Sequence, residues 1–365
     1  MALYNYILLA VSVILIVFTV RSVMRRKNKK ARFERAVHGI AITVGVFLIS
    51  AVVLFPNLNS IPVTGDNPYA SCVLELTDTS RMEEYGNDGG PRKLSVLVYY
   101  PTNNAVPRSS CPLVVFSHGG ISTKTSNLSL YKELASHGYV VVGIDHTYHA
   151  LRTKIDGKKI PIDPGYMKEL TGEDSYRDIE NSFACFQKWM KLRTDDISFV
   201  IDCFIEKASS DSPSFYSLID KNRIGVAGHS LGGSAALGVA RQREDFNAVM
   251  ALESPFMCDI TGVDTDRFTW NTDPYPCAVL NIYSDSGYSL IGSDNKYVQN
   301  KNYLYNGENV RFTYIQGSNH YTLTDLVRTS PILCALLGGR YEKNGYETLE
   351  IINRKSLAFF DEYLK

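Results

Sequence analysis

Residues 228–233, GHSLGG, put a single hydroxyl, that of Ser230, between glycines. An apolar β-type run, RIGVA, enters the stretch, and an alanine-rich run with helical spacing, LGGSAALGVARQ, leaves it. A G-x-S-x-G pattern alone arises by chance in roughly one chain in ten at ordinary glycine usage. The strand before and the helix after select the chemical reading, a nucleophile on a sharp strand-to-helix turn. Gly228 and Gly232 make room for that turn. The helix starting beneath Ser230 supplies unpaired N–H groups and a partial positive charge.

A serine hydroxyl is a weak nucleophile until a base takes its proton. In a strand–G-x-S-x-G–helix arrangement the partners follow along the chain in the order acid, then histidine. Histidines stand at 38, 118, 137, 146, 149, 229 and 320, and only His320, in YIQGSNHYTLTD, comes after Ser230. Two carboxylates between them lie at or just past strand-like runs: Glu253, ending AVMALE, and Asp285, after LNIYS. Either can receive the Nδ1–H of His320 and stabilise its imidazolium. An acyl-transfer site also needs two N–H donors for the developing oxyanion. The backbone of Leu231 is one, and Gly120 in VVFSHGGIS is the candidate for the other. Asp145, His146 and His149 could be read as metal ligands, but no fourth ligand presents itself and the triad needs no metal or cofactor. Asn127-Leu-Ser129 fits a glycosylation acceptor.

The elements that must hold these residues alternate. CPLVVFS, YVVVGID, RIGVAGH, AVMALE, PCAVLNIY and NVRFTYI read as strands. Between and after them, residues 127–138, the long amphipathic stretch from 181, LGGSAALGVARQ and two C-terminal stretches read as helices. Continuous apolar strands alternating with helices predict a mainly parallel sheet covered on both faces. Polar, loop-like insertions at 146–178 and 254–275 follow strands, where they can wall a site at the carboxyl ends. Tyr148, Tyr166, Phe256, Phe268 and Trp270 in these insertions are candidates for an acyl pocket, and core or lid packing explains them as well.

Residues 3–20 and 36–55 are nearly all apolar, each approaching the roughly 20 residues a helix needs to span a bilayer. Eight Lys and Arg residues lie between them, and none occurs in 1–20 or 36–80. This asymmetry predicts a two-helix transmembrane hairpin with a cytoplasmic basic loop over 1–58. It makes the protein a multi-pass cell-membrane protein with an extracytoplasmic catalytic domain over 59–365. A formal net charge of zero gives no basic surface for nucleic acid. The seven cysteines show no metal-type spacing, and an odd number cannot all pair within one chain.

LVVFSHGG, LYKELASHGYVVVGIDH, IGVAGHSLGGSAAL, MALESPFM and YIQGSNHYTLTDL together resemble the platelet-activating-factor acetylhydrolase family, bacterial relatives included, of the α/β-hydrolase superfamily. The likeness runs over roughly residues 93–335 and implies an α/β-hydrolase fold behind the hairpin. It implies Ser230 as nucleophile, His320 as base, and Gly120 and Leu231 as oxyanion donors. Its acid falls on Glu253, where the family usually carries Asp, so Asp285 stays a second candidate. The implied activity is hydrolysis of carboxylic esters through an acyl-enzyme, on short-acyl esters or phospholipid sn-2 acetyl groups. A lipase or polyester hydrolase, an acyltransferase and a catalytically dead binding module are the rivals.

Overall fold

Strands that are apolar at every position can only sit where both faces are covered. The computed structural model describes residues 13–21, 29–56, 60–86, 89–103, 105–210, 214–307 and 309–365, and its central strands obey this rule. β3 (Cys111–Ser117), β4 (Val140–Asp145) and β8 (Ala248–Leu252) are buried along their whole length. β1 (Tyr69–Met82) instead alternates between exposed and covered positions, as suits an edge with one wet face. Among the described residues the main sheet has eight strands, ordered β1-β2-β4-β3-β7-β8-β11-β12. β2 (Pro91–Pro101) pairs antiparallel with both its neighbours. From β4 through β7 (Ile219–His229), β8 and β11 (Ala278–Tyr283) to β12 (Val310–Tyr314) every pairing is parallel.

Alternation along each strand sends side chains to two cores. Leu113 and Val115 of β3 join Phe186, Trp189 and Phe204 on one face. Val114 and Phe116 join Tyr131, Leu134, Phe359 and Phe360 on the other. The first face is covered by α5 (Ile179–Ala208) and α6 (Leu231–Gln242). The second is covered by α3 (Leu128–Ser136) and α11 (Gly345–Leu364). The stretch from residue 181 is thus one 30-residue helix, started by the Asp178 side chain accepting from the Asn181 N–H at 3.0 Å.

The insertions are more ordered than their composition implies. The first holds a hairpin, β5 (Arg152–Ile155) with β6 (Lys158–Pro161), and the helix α4 (Pro164–Gly172). The second holds the hairpin of β9 (Ile260–Asp264) and β10 (Arg267–Trp270).

The two-span hairpin is not supported. Among the described residues no helix is long and apolar enough to cross a membrane. Residues 3–12 of the first segment lie outside the described residues, and its described part, α1 (residues 13–21), is helical. The second segment falls in α2 (Lys29–Leu54), whose first two turns carry Lys29, Lys30, Arg32 and Arg35. At its far end the Leu54 carbonyl accepts the Ser330 hydroxyl at 2.5 Å, so α2 ends against the α/β unit.

Candidate active site

In a parallel sheet, loops leaving the carboxyl ends of adjacent strands converge, and β3, β7, β8 and β12 deliver the candidate residues there. Ser230 caps the N-terminus of α6 with φ of 53° and ψ of −125°. Such a conformation in a residue with a Cβ costs on the order of 1–3 kcal/mol. It is held by the Ser230 N–H donating to the Leu252 carbonyl at 2.8 Å and by packing without side chains around it. A Cβ on Gly228 would overlap the Gly232 backbone, and one on Gly232 would overlap the carbonyls of Ser117 and His118. The glycines of GHSLGG are therefore required by close approach of three backbone segments.

Glu253 also has a positive φ, 52°, directly after β8. Its Oε1 lies 2.7 Å from His320 Nδ1, while its Oε2 accepts from the Ser284 N–H at 2.8 Å and from the Ser284 hydroxyl. Burial pushes this carboxyl up, but the His320 hydrogen bond and charge and the two Ser284 donors outweigh it, leaving it below the usual glutamate value. The extra methylene of glutamate is accommodated at Gly287, where a Cβ would run into the Glu253 side chain.

Asp285 is placed elsewhere. It is exposed, accepts from the Tyr314 hydroxyl at 2.5 Å, and takes the Gly317 N–H at 3.1 Å on each carboxylate oxygen. It therefore ties down the loop that carries His320 without touching the imidazole. That loop turns at Gly317, with φ of 77°, and enters a 3-10 turn (His320–Leu323) capped by Asn319. The His320 carbonyl accepts from Nε2 of His229 at 3.1 Å. Burial, then the His320 charge, push His229 down to about 3, so it stands neutral with its proton on this bond.

Ser230, Leu231, Gly119, Gly120 and His320 all open onto one cleft of about 720 Å³. Among the described residues Ser230 Oγ and His320 Nε2 form no hydrogen bond, and such contacts often close only around substrate. Leu170 of α4 and Met257 wall the cleft, with Leu333 and Leu337 of α10 (Pro331–Gly338). The five aromatic residues considered for an acyl pocket are not in this wall. Tyr166, Phe256 and Phe268 are buried in the core, and Tyr148 and Trp270 pack against it. Phe268 packs on Phe186 and Tyr166 edge-on against Trp189, both on α5, while Phe256 packs on Tyr275 and Tyr303.

The other chemistry-bearing residues of the sequence have separate partners. Asp145 pairs with Lys124 at 2.7 Å, His146 Nδ1 bonds Asp196 at 2.9 Å, and His149 stacks on Tyr166 with centroids 3.6 Å apart. No group of three or more His, Cys, Asp or Glu among the described residues could hold a metal ion. Asn127 is buried and its amide donates to the Leu323 carbonyl at 2.9 Å, so the acceptor pattern there is structural. All seven cysteines are free thiols.

Two residues of the site carry little sequence signal. His229 and Ser284 adjoin Ser230 and Asp285 and could have been suspected on that ground.

The chain matches the family described as "Platelet-activating factor acetylhydrolase, isoform II" over residues 97–181 and 200–365. It is 24% identical over 264 residues to a platelet-activating factor acetylhydrolase of Cavia porcellus. That match takes in 69% of this chain and spans 57% of the relative's length. It is 25% identical over 242 residues to a cutinase of Thermobifida fusca (strain YX), covering 62% of each. Among solved structures, a ferulic acid esterase from Streptomyces cinnamoneus superposes with a TM-score of 0.59 at 20% identity. The overlap covers 83% of this chain and 92% of that one, a likeness of fold.

Proposed function

Because the chain belongs to the family of platelet-activating factor acetylhydrolase, isoform II, we propose that it hydrolyses carboxylic esters with Ser230 as nucleophile, His320 as base and Glu253 as the acid that orients it. The observation that carries this reading is the 2.7 Å contact of His320 Nδ1 with Glu253 Oε1 in a cleft shared with the strained Ser230. Ser230 Oγ attacks the acyl carbon while its proton passes to His320 Nε2. The charge that develops on the carbonyl oxygen is met by the N–H groups of Gly120 and Leu231. His320 then returns the proton to the departing alkoxide, leaving an acyl group on Ser230. Water, deprotonated by the same imidazole, attacks that acyl carbon; the carboxylic acid leaves and Ser230 regains its proton.

The proposed substrates are short-acyl esters, including phospholipids with an sn-2 acetyl group. The acetylhydrolase relatives support this reading, and so does a cleft walled by Leu170, Met257, Leu333 and Leu337. The cutinase likeness favours polyesters as the second reading. A series of p-nitrophenyl esters from acetyl to dodecanoyl, beside an sn-2 acetyl phospholipid and a soluble polyester, separates the two. The expected result is a kcat/KM that is highest for acetyl and falls with chain length. A rise toward long chains, or turnover of the polyester alone, would reject the short-acyl reading. Absence of any Ser230-dependent turnover would reject ester hydrolysis.

A further inference from the structure

Arg193 is fully buried on α5, beneath the loop that leaves β3. Its Nη1 donates to the His118 carbonyl at 2.5 Å and its Nη2 to the Gly119 carbonyl at 3.4 Å. Nδ1 of His118 adds a second donor to the Gly119 carbonyl at 2.6 Å. The next carbonyl, that of Gly120, accepts from the Tyr166 hydroxyl at 3.1 Å, and this hydroxyl lies 3.5 Å from Arg193 Nη2. Three consecutive carbonyls are thus drawn to the buried side by donors on α4, α5 and the loop itself.

In a trans peptide the C=O of one residue and the N–H of the next point in opposite directions. Holding the Gly119 carbonyl inward therefore turns the Gly120 N–H outward, toward the cleft that Gly119 and Gly120 line. The same reasoning applies to the Gly119 N–H through the His118 carbonyl. A glycine loop left to itself has no such preference.

The charge on Arg193 is also uncommitted. Among the described residues it makes no ion pair, and its Nε has no hydrogen-bond partner. Asp196, three residues along the same helix, is already bonded by Arg92 at 2.6 Å and by His146 at 2.9 Å. A buried guanidinium without a carboxylate is costly to retain unless something else uses it. Its field reaches its neighbours: burial first, then Arg193, hold His118 and His149 well below the usual histidine value.

Resting on the ester-hydrolase reading above, we infer that Arg193, with Tyr166, is the positioning residue of the oxyanion site. Arg193 orients the Gly119 N–H through the His118 carbonyl and, together with His118 Nδ1, the Gly120 N–H through the Gly119 carbonyl, while Tyr166 anchors the next peptide at the Gly120 carbonyl; the unpaired charge of Arg193 lies behind that loop.

Arg193→Met, Arg193→Lys and Tyr166→Phe test this in the full chain. Arg193→Met is expected to lower kcat by about 10²-fold, the range for loss of an oxyanion donor, with KM within about threefold. Affinity for an alkyl trifluoromethyl ketone, whose hemiketal oxygen occupies the same site, should fall in parallel with kcat/KM. Arg193→Lys keeps the charge but loses the two-pronged geometry, so it should recover part of the loss. Tyr166→Phe keeps the ring and should cost about three- to tenfold in kcat. A folded Arg193→Met with kcat within threefold of wild type overturns the inference, as does a loss confined to KM or an unchanged ketone affinity. If the Arg193 variants do not fold, Tyr166→Phe decides by the same two readouts. A wild-type chain without esterase activity would instead reject the reading on which the inference rests.

Discussion

Replacing Glu253 by glutamine keeps the side chain's length and removes its charge, and the surrounding donors dictate what the amide must do. Oε2 of Glu253 receives two hydrogen bonds from Ser284, one from the backbone N–H at 2.8 Å and one from the hydroxyl. In the Gln variant the backbone N–H cannot turn away, so the amide oxygen must take that position. The NH₂ group then faces Nδ1 of His320, where Oε1 stood at 2.7 Å. An NH₂ there can only donate, so Nδ1 must accept and the ring proton moves to Nε2. That is the wrong tautomer to take a proton from Ser230, and the imidazolium loses its counter-charge as well. The same substitution of a triad acid in a well-studied serine protease costs about 10⁴-fold in kcat, or about 5 kcal/mol of barrier. A loss of that order is expected here, measured as kcat for p-nitrophenyl acetate at neutral pH with circular dichroism to verify folding. Asp285→Asn should cost no more than about tenfold, because Asp285 acts only through Gly317 and Tyr314. Glu253→Asp should fall between them, since the charge remains but retreats by about one bond length, beyond direct hydrogen-bond reach. Glu253→Gln within tenfold of wild type, with Asp285→Asn inactive, would refute this reasoning and move the acid to the loop after β11.

Ser230→Ala should fold normally and lose about 10⁶-fold in kcat, and a fluorophosphonate probe should label Ser230 in wild type and nothing in the variant. Gly287→Ala should depress kcat far more than Tm, because the new methyl displaces the Glu253 carboxylate; equal kcat for the two proteins would disprove the contact. Acidification should destabilise the fold before carboxylates titrate. Burial holds His146 down to about 4 and His229 down to about 3, against 6.5 when unfolded. The unfolded chain therefore binds more protons below 6.5, and the stability these two groups contribute is lost as pH falls from there toward 4 and 3. Tm measured across that range should fall steadily, and less steeply for His146→Gln. The Glu253 carboxylate adds a separate part, complete above about 4.5 and lost as pH falls through its lower folded value.

What the sequence by itself determined lies in patterns that are local along the chain. Continuous apolar strands imposed a sheet buried on both faces, and the glycines around Ser230 were needed for a turn that ten or so residues could reveal. Chain order left His320 as the one histidine able to serve, and the structure puts it on the cleft. Composition left a choice open where a neighbour elsewhere in the chain decides. The insertion aromatics, which could line a pocket or pack, lie in or against the core, and among the described residues no helix is long and apolar enough to cross a membrane.

Only the tertiary structure decided which carboxylate meets the imidazole. Glu253 and Asp285 both follow strands of the same sheet, and nothing local distinguishes them. The register that pairs Leu252 with Ile282, the strained backbone at Glu253 and the space left at Gly287 bring Glu253 to a histidine 67 residues away. Arg193 lies still further from any local signal, since its partners are carbonyls 74 and 75 residues earlier in the chain. Periodicity and propensity report which face of an element is buried. Which polar groups meet in that buried space depends on how elements far apart in sequence pack, because an unpaired polar group there is costly and only the assembled fold supplies its partner.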